Sequence, residues 1–148
     1  KGSGRMRKQE INIYKEIQKN TEKAIRALDT ITDKVYDDNL ALQLSKQSLK
    51  YAEIRNQAYD KLLEAKAEPY KSSYLDNLRV TGGIQYNTLL NTSTSKIAEL
   101  MIKGSNTDVL EMNRVLNHNG DADQSAVELA NSLIDFEVKN VERLKKYL

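Results

Sequence analysis

Two short patterns carry the chain's best claim to chemistry. Glu53 and Asn56 stand three residues apart in "EIRN", and Glu137 and Asn140 do the same in "EVKN". On a helix that spacing puts both side chains on one face. Di-metal carboxylate centres in helical bundles use a Glu-x-x-His pair on two helices and a single Glu on two others. Glu16 and Glu99 could supply the single carboxylates. Here, however, Asn replaces His in both pairs, and an amide is a poorer iron ligand than an imidazole. With eleven Glu and thirteen Asn in the chain, the pattern also arises by chance, and Glu128 with Asn131 makes a third copy. The sole histidine, His118, falls in a turn-like stretch, and there is no cysteine. Zinc-thiolate sites, disulfides and thiol nucleophiles are thereby excluded. No metal and no other cofactor is expected, and no catalytic residue is assigned. "TGG" (81–83) lacks the lysine and the spacing of a phosphate loop.

The elements that carry these residues read as helices. One proline and six glycines in 148 residues leave little turn chemistry. Ile13, Ile17, Ala24, Leu28, Ile31 and Val35 recur at helical spacing, with Thr21 in the one gap, and predict a first helix over 6–36. Asp37, Asp38 and Asn39 form a turn suited to the next helix's N-terminus. The second helix runs to about Lys66, with Leu42, Ser45, Leu49, Ala52, Asn56, Tyr59 and Leu63 as its seam, and Pro69 ends it. Residues 70–83 read either as a link or as the start of helix 3. Helix 3 continues to Lys103, where Gly104 is read as a stop. "SNTD" (105–108) then caps a short helix to about Asn117, and "HNGDAD" (118–123) turns the chain. The last helix has Val127, Ala130, Ile134, Glu137, Val141, Leu144 and Leu148 at heptad spacing.

The expected architecture is therefore all-α: an antiparallel four-helix bundle, with a short extra helix before the last one. Residues 6–148 read as one domain. The opening "KGSGR" (1–5) has linker composition and is expected to be a remnant foreign to the fold.

Polar residues interrupt the seams. Asn20 and Thr21 sit midway along helix 1, Asn56 in helix 2, Asn91 and Ser95 in helix 3, and Glu137 in helix 4. Buried polar groups need partners. These positions are expected to meet in a polar layer across the core, with Lys96 as the cation for Glu137. Glu53, Glu99 and Asn140 are the remaining members of the layer, or of a vestigial metal site.

The segment "GGIQYNTLLNTSTSKIAELMIKGS" (82–105) resembles small, uncharacterised bacterial proteins with a ferritin-like helical bundle. Their pattern is close to T-S-H-I-A-E-M-M-I-Q-G-S. "FEVKNVERLKKYL" (136–148) is similar more loosely. The resemblance implies the ferritin-like fold rather than an activity. Lys96 stands where that pattern carries His, so the ligand pair it would form with Glu99 is lost.

The formal charge is +2, and without Lys1 and Arg5 it is zero. Acids and bases alternate along the helices, which argues against nucleic-acid binding. No apolar run reaches the length of a membrane span. The expectation is a cytoplasmic, non-catalytic protein that is structural or binds proteins, with self-association or another protein as partner. The competing expectation is a metal-binding or redox protein with a degenerate carboxylate site.

Overall fold

The computed structural model describes residues 8–71 and 93–148. Residues 1–5, the choice between link and helix over 72–83, the start of helix 3 and Asn91 all lie outside the described residues. Four α-helices are seen among the described residues: α1 (Lys8–Thr32), α2 (Asp38–Glu64), α3 (Thr94–His118) and α4 (Gln124–Leu144). A 3₁₀ turn, Lys145–Tyr147, follows α4. The described residues contain no strand.

α1 folds as its spacing predicts up to Thr32, where it ends in a turn that leaves Val35 beyond the helix. Ile13, Ile17, Thr21, Leu28 and Ile31 are all at most 1% exposed. The buried Thr21 hydroxyl donates to the carbonyls of Ile17 and Gln18, so it fills the gap in the seam without stranding a polar group. Asp37 caps α2, its carboxylate accepting from the Leu40 amide at 2.9 Å. The stop of α2 comes before Pro69. Lys66 takes φ 57°. Its amide donates to Leu63, and that of Ala67 donates to Leu62. This double bond is a Schellman closure, with lysine in the left-handed position that glycine usually holds.

Contacts at the helix ends fix directions. Gln9 and Glu10, in the first turn of α1, accept from the amides of Asp121 and Asp123. Asn12 donates to Asn119. Tyr14 lies 3.4 Å from Ser125 at the start of α4. The first turn of α1 thus holds the turn between α3 and α4. The last turns of α2 and the first of α4 line one cavity with Tyr14. α2 therefore ends where α3 also ends, and α3 begins at the opposite end of the bundle.

Three expectations need correction. Gly104 does not stop a helix: α3 passes through it to His118, so the short extra helix is part of α3. A helix-interior glycine costs about 1 kcal/mol, less than packing returns. Second, Ser93 is extended (φ −76°, ψ 159°), and its hydroxyl accepts from the Lys96 amide. A continuous helix over 84–103 is thus excluded at Ser93, and the serine's polarity serves a cap. Third, α2 is turned by half a revolution. Its buried stripe is Leu40, Leu44, Gln47, Tyr51, Ile54, Ala58 and Leu62. Of the predicted seam, Leu42, Leu49, Tyr59 and Leu63 are 40–73% exposed. In α4 the turn is smaller: Ala126 and Leu133 are buried, Leu148 is exposed, and Glu137 keeps its inward place.

Candidate functional site

α2, α3 and α4 each send polar side chains into one buried cluster. Glu137, on α4, is fully buried. Its Oε1 accepts from the Tyr51 hydroxyl of α2 at 2.5 Å. Asn140, one turn on and also fully buried, donates through Nδ2 to the same hydroxyl oxygen at 3.3 Å. Tyr51 is thereby fixed at its tip, while its ring packs edge-on against Phe136 at 5.0 Å. Ser105 and Asp108, both buried on α3, lie beside the same carboxyl, whose second oxygen, Oε2, finds no hydrogen-bond partner among the described residues.

Helix geometry explains this convergence. Glu137 and Asn140 are three residues apart on α4, as are Ser105 and Asp108 on α3, so each pair shares a face. Tyr51 is in the middle of α2's buried stripe. Burial raises the Glu137 pKa above the ordinary 4.5, and the polar side chains of Asp108, Tyr51, Ser105 and Asn140 around it pull it partly back. Burial, and then the nearby acids Glu137 and Asp108, push the Tyr51 phenol well above 10. Tyr51 is therefore a neutral donor at physiological pH. At Glu137 desolvation acts against the charged form and outweighs the neighbouring donors.

The structure divides the residues that the sequence singled out. Glu137, Asn140 and Asn20 are fully buried. Glu137 and Asn140 share the cluster. Neither amide atom of Asn20 finds a hydrogen-bond partner among the described residues. Thr21 is buried as well, but its hydroxyl is turned to its own helix's carbonyls, and Ser95, Asn56, Glu53, Lys96 and Glu99 are at or near the surface. Asn56 is exposed on α2 and accepts from its neighbour Arg55. Glu53 pairs with Lys50 at 3.3 Å, also in solvent. Lys96 is directed to Glu99 at 3.7 Å rather than to Glu137, and Lys103 approaches Glu99 more closely, at 2.9 Å. Lys103 and then Lys96 hold the Glu99 carboxyl below its usual range.

Sequence reasoning missed Tyr51, Ser105 and Asp108. Tyr51 lies on the stripe of α2 opposite the predicted seam. Ser105 and Asp108 look like caps because Gly104 precedes them. The signal that could have found them is the i, i+3 pairing of Ser105 with Asp108 within an otherwise helical, apolar-spaced segment.

This donor set does not fit a di-metal centre. Glu53 and Glu99 are outside the core, Glu16 is half-buried near Glu111, and Glu10 is engaged by the Asp123 amide at the end of the bundle, which leaves Glu137 and Asp108 as the carboxyls of the cluster and no imidazole beside them. Among the described residues no group of three or more His, Cys, Asp or Glu side chains is arranged to hold a metal ion. Nor does any described helix have the length and apolarity to cross a membrane.

One solved structure shares this architecture. The chain is similar to a DUF305 fragment from Deinococcus radiodurans, known from its crystal structure. The match covers 96% of each chain, with a TM-score of 0.72 and 15% identity. At that identity the likeness concerns the fold. No family model and no curated relative matches the chain.

Proposed function

We propose that the protein is a non-catalytic helical bundle that docks another protein through the outward face of α2. The observation that carries this reading is the exposed stripe on that helix. Leu42, Leu49, Tyr59 and Leu63 are 56%, 73%, 40% and 50% exposed, and they recur at helical spacing on one face. Large apolar side chains scattered singly are ordinary, whereas a contiguous stripe marks an interaction surface. Leu110 and Val138, by contrast, stand alone on their helices.

The buried cluster has a structural part in this reading. Its groups bond to one another across three helices, and such a layer sets helix register at some cost in stability. The common direction of α2 and α3 supports a ferritin-like order of helices, in agreement with the resemblance of segment 82–105. The dispersal of Glu53 and Glu99 counts against metal or redox work within such an order.

A photo-cross-linking residue at position 49 of the full chain, irradiated in the producing cells, tests the docking face. A covalent adduct to a protein is expected. Absence of any adduct at positions 49 and 63 would overturn the reading. Metal analysis of protein purified without chelators is expected to return substoichiometric iron, manganese and zinc.

A further inference from the structure

The α2 stripe has more order than a merely apolar face, and that order points to what covers it. Written as a heptad, Leu42, Leu49, Asn56 and Leu63 occupy every a position, and Ser45, Ala52 and Tyr59 every d position. The repeat of 3.5 residues holds for three full heptads, which is the period that keeps a seam facing a partner helix. The opposite stripe of the same helix, Leu40 to Leu62, is spent on the protein's own core. The outer seam is therefore a second, complete helix-pairing surface.

We infer that a second copy of this chain covers it, the two α2 helices running parallel. This inference rests on the docking reading above. Three observations favour this occupant. First, a single asparagine among apolar a positions is the device that fixes register and a two-stranded state in parallel pairs, where the two amides face each other. Asn56 has that place, exposed, with its Oδ1 engaged, among the described residues, by the adjacent Arg55 at 3.3 Å. An antiparallel pair would set Asn56 against a d-position side chain instead.

Second, the flanking charges complement themselves. In a parallel pair each g residue faces the e residue of the next heptad in the mate. Arg55 (g) then meets Asp60 (e) of the other copy, twice by symmetry. Lys46 (e) meets Ala41, and Glu53 (e) meets Ser48. No like charges face each other. Asp60 and Lys46 are exposed and Arg55 is half-buried, so the charged groups are at the rim of the seam. Third, the d positions Ser45 and Ala52 are small, which allows close approach of the two helices.

The test uses the full chain. Sedimentation equilibrium at about 100 µM is expected to give twice the 16.9 kDa chain mass, since micromolar Kd values leave mostly dimer there. Leu49→Lys is expected to raise the Kd at least about tenfold, because it places two ammonium groups in one a layer. Its circular-dichroism melt at high dilution should match that of the wild type, since Leu49 is 73% exposed. Arg55→Asp should weaken the dimer, and Arg55→Asp with Asp60→Arg should restore it, a rescue that altered folding could not produce. A wild-type monomer at that concentration would overturn the second copy as occupant, as would a dimer indifferent to Leu49→Lys and to the charge exchange. The cross-link at position 49 separates the two failures. An adduct to a different protein removes this inference and keeps the docking face, whereas no adduct removes both.

Discussion

The inward polar cluster and the outward face of α2 are inversions of each other. At the first, a carboxylic acid, a phenol and an amide are inside, at zero to 2% exposure. At the second, four large apolar side chains are outside. The inner inversion is partly relieved by bonds within it: Tyr51 donates to Glu137 and Asn140 donates to Tyr51, while Glu137 Oε2 and Asn140 Oδ1 find no hydrogen-bond partner among the described residues. The outer inversion has no such internal remedy, since apolar groups in water are relieved only by burial. The polar groups inside bear on how the bundle is built, and the apolar stripe outside is the basis of the proposed docking face.

The sharpest way to break this comparison is to truncate leucines on the two faces of α2. Leu44→Ala should lower stability by about 3 kcal/mol, as full burial and a residual cavity require. Leu42→Ala, measured at high dilution, should change it by less than about 0.5 kcal/mol. Equal costs in chemical denaturation would show that both faces are core.

Next in size is Glu137→Leu. It strands the Tyr51 hydroxyl and the groups directed to the carboxyl from α3, and should cost about 2–3 kcal/mol. Glu137→Gln keeps an acceptor for Tyr51 and should be milder. Urea titrations of the two variants would separate lost bonding from lost shape. Tyr51→Phe follows, at about 1 kcal/mol, and the same titrations read it.

The acid's pKa offers a test by pH. The Glu137 pKa is raised in the folded state above the ordinary 4.5. The folded protein therefore holds this proton more tightly than the unfolded chain. That contribution is complete below the unfolded value, and it is lost as pH rises through the folded one. Stability should decline as pH climbs from 4.5, and Glu137→Gln should flatten the decline. Burial raises Glu16 as well, so some slope should persist in the variant.

The smallest effect expected is at the end of α2. Lys66 at φ 57° holds a conformation better suited to glycine. Lys66→Gly should raise stability by about 0.5 kcal/mol, visible as a small upward shift in melting temperature. A fall would mean that the lysine side chain contributes something that the closure alone does not explain.

How legible each part was depended on how many solutions its sequence allowed. α1 has one apolar stripe, so period and phase could both be read, down to Thr21 in the gap. α2 has two stripes of equal period on opposite sides, Leu40 to Leu62 and Leu42 to Leu63. Spacing identifies such a helix but cannot say which side faces inward. α3 was obscured by Gly104 and the cap-like Ser105 and Asp108, because local stop signals are weak beside tertiary packing.

The sequence by itself determined that the protein is helical, that α1 buries Ile13 through Ile31, that Asp37 starts α2 and that Glu137 faces inward. Local propensity and a single apolar phase suffice for these, since each depends on residues within a few turns of one another. Tertiary structure alone decided which face of α2 enters the core, that α3 runs unbroken through Gly104, and that Tyr51, Ser105 and Asp108 meet Glu137. Those outcomes depend on groups up to 86 residues apart. Buried polar atoms must be satisfied by whatever the other helices bring to the same height, and no single helix's pattern contains that information.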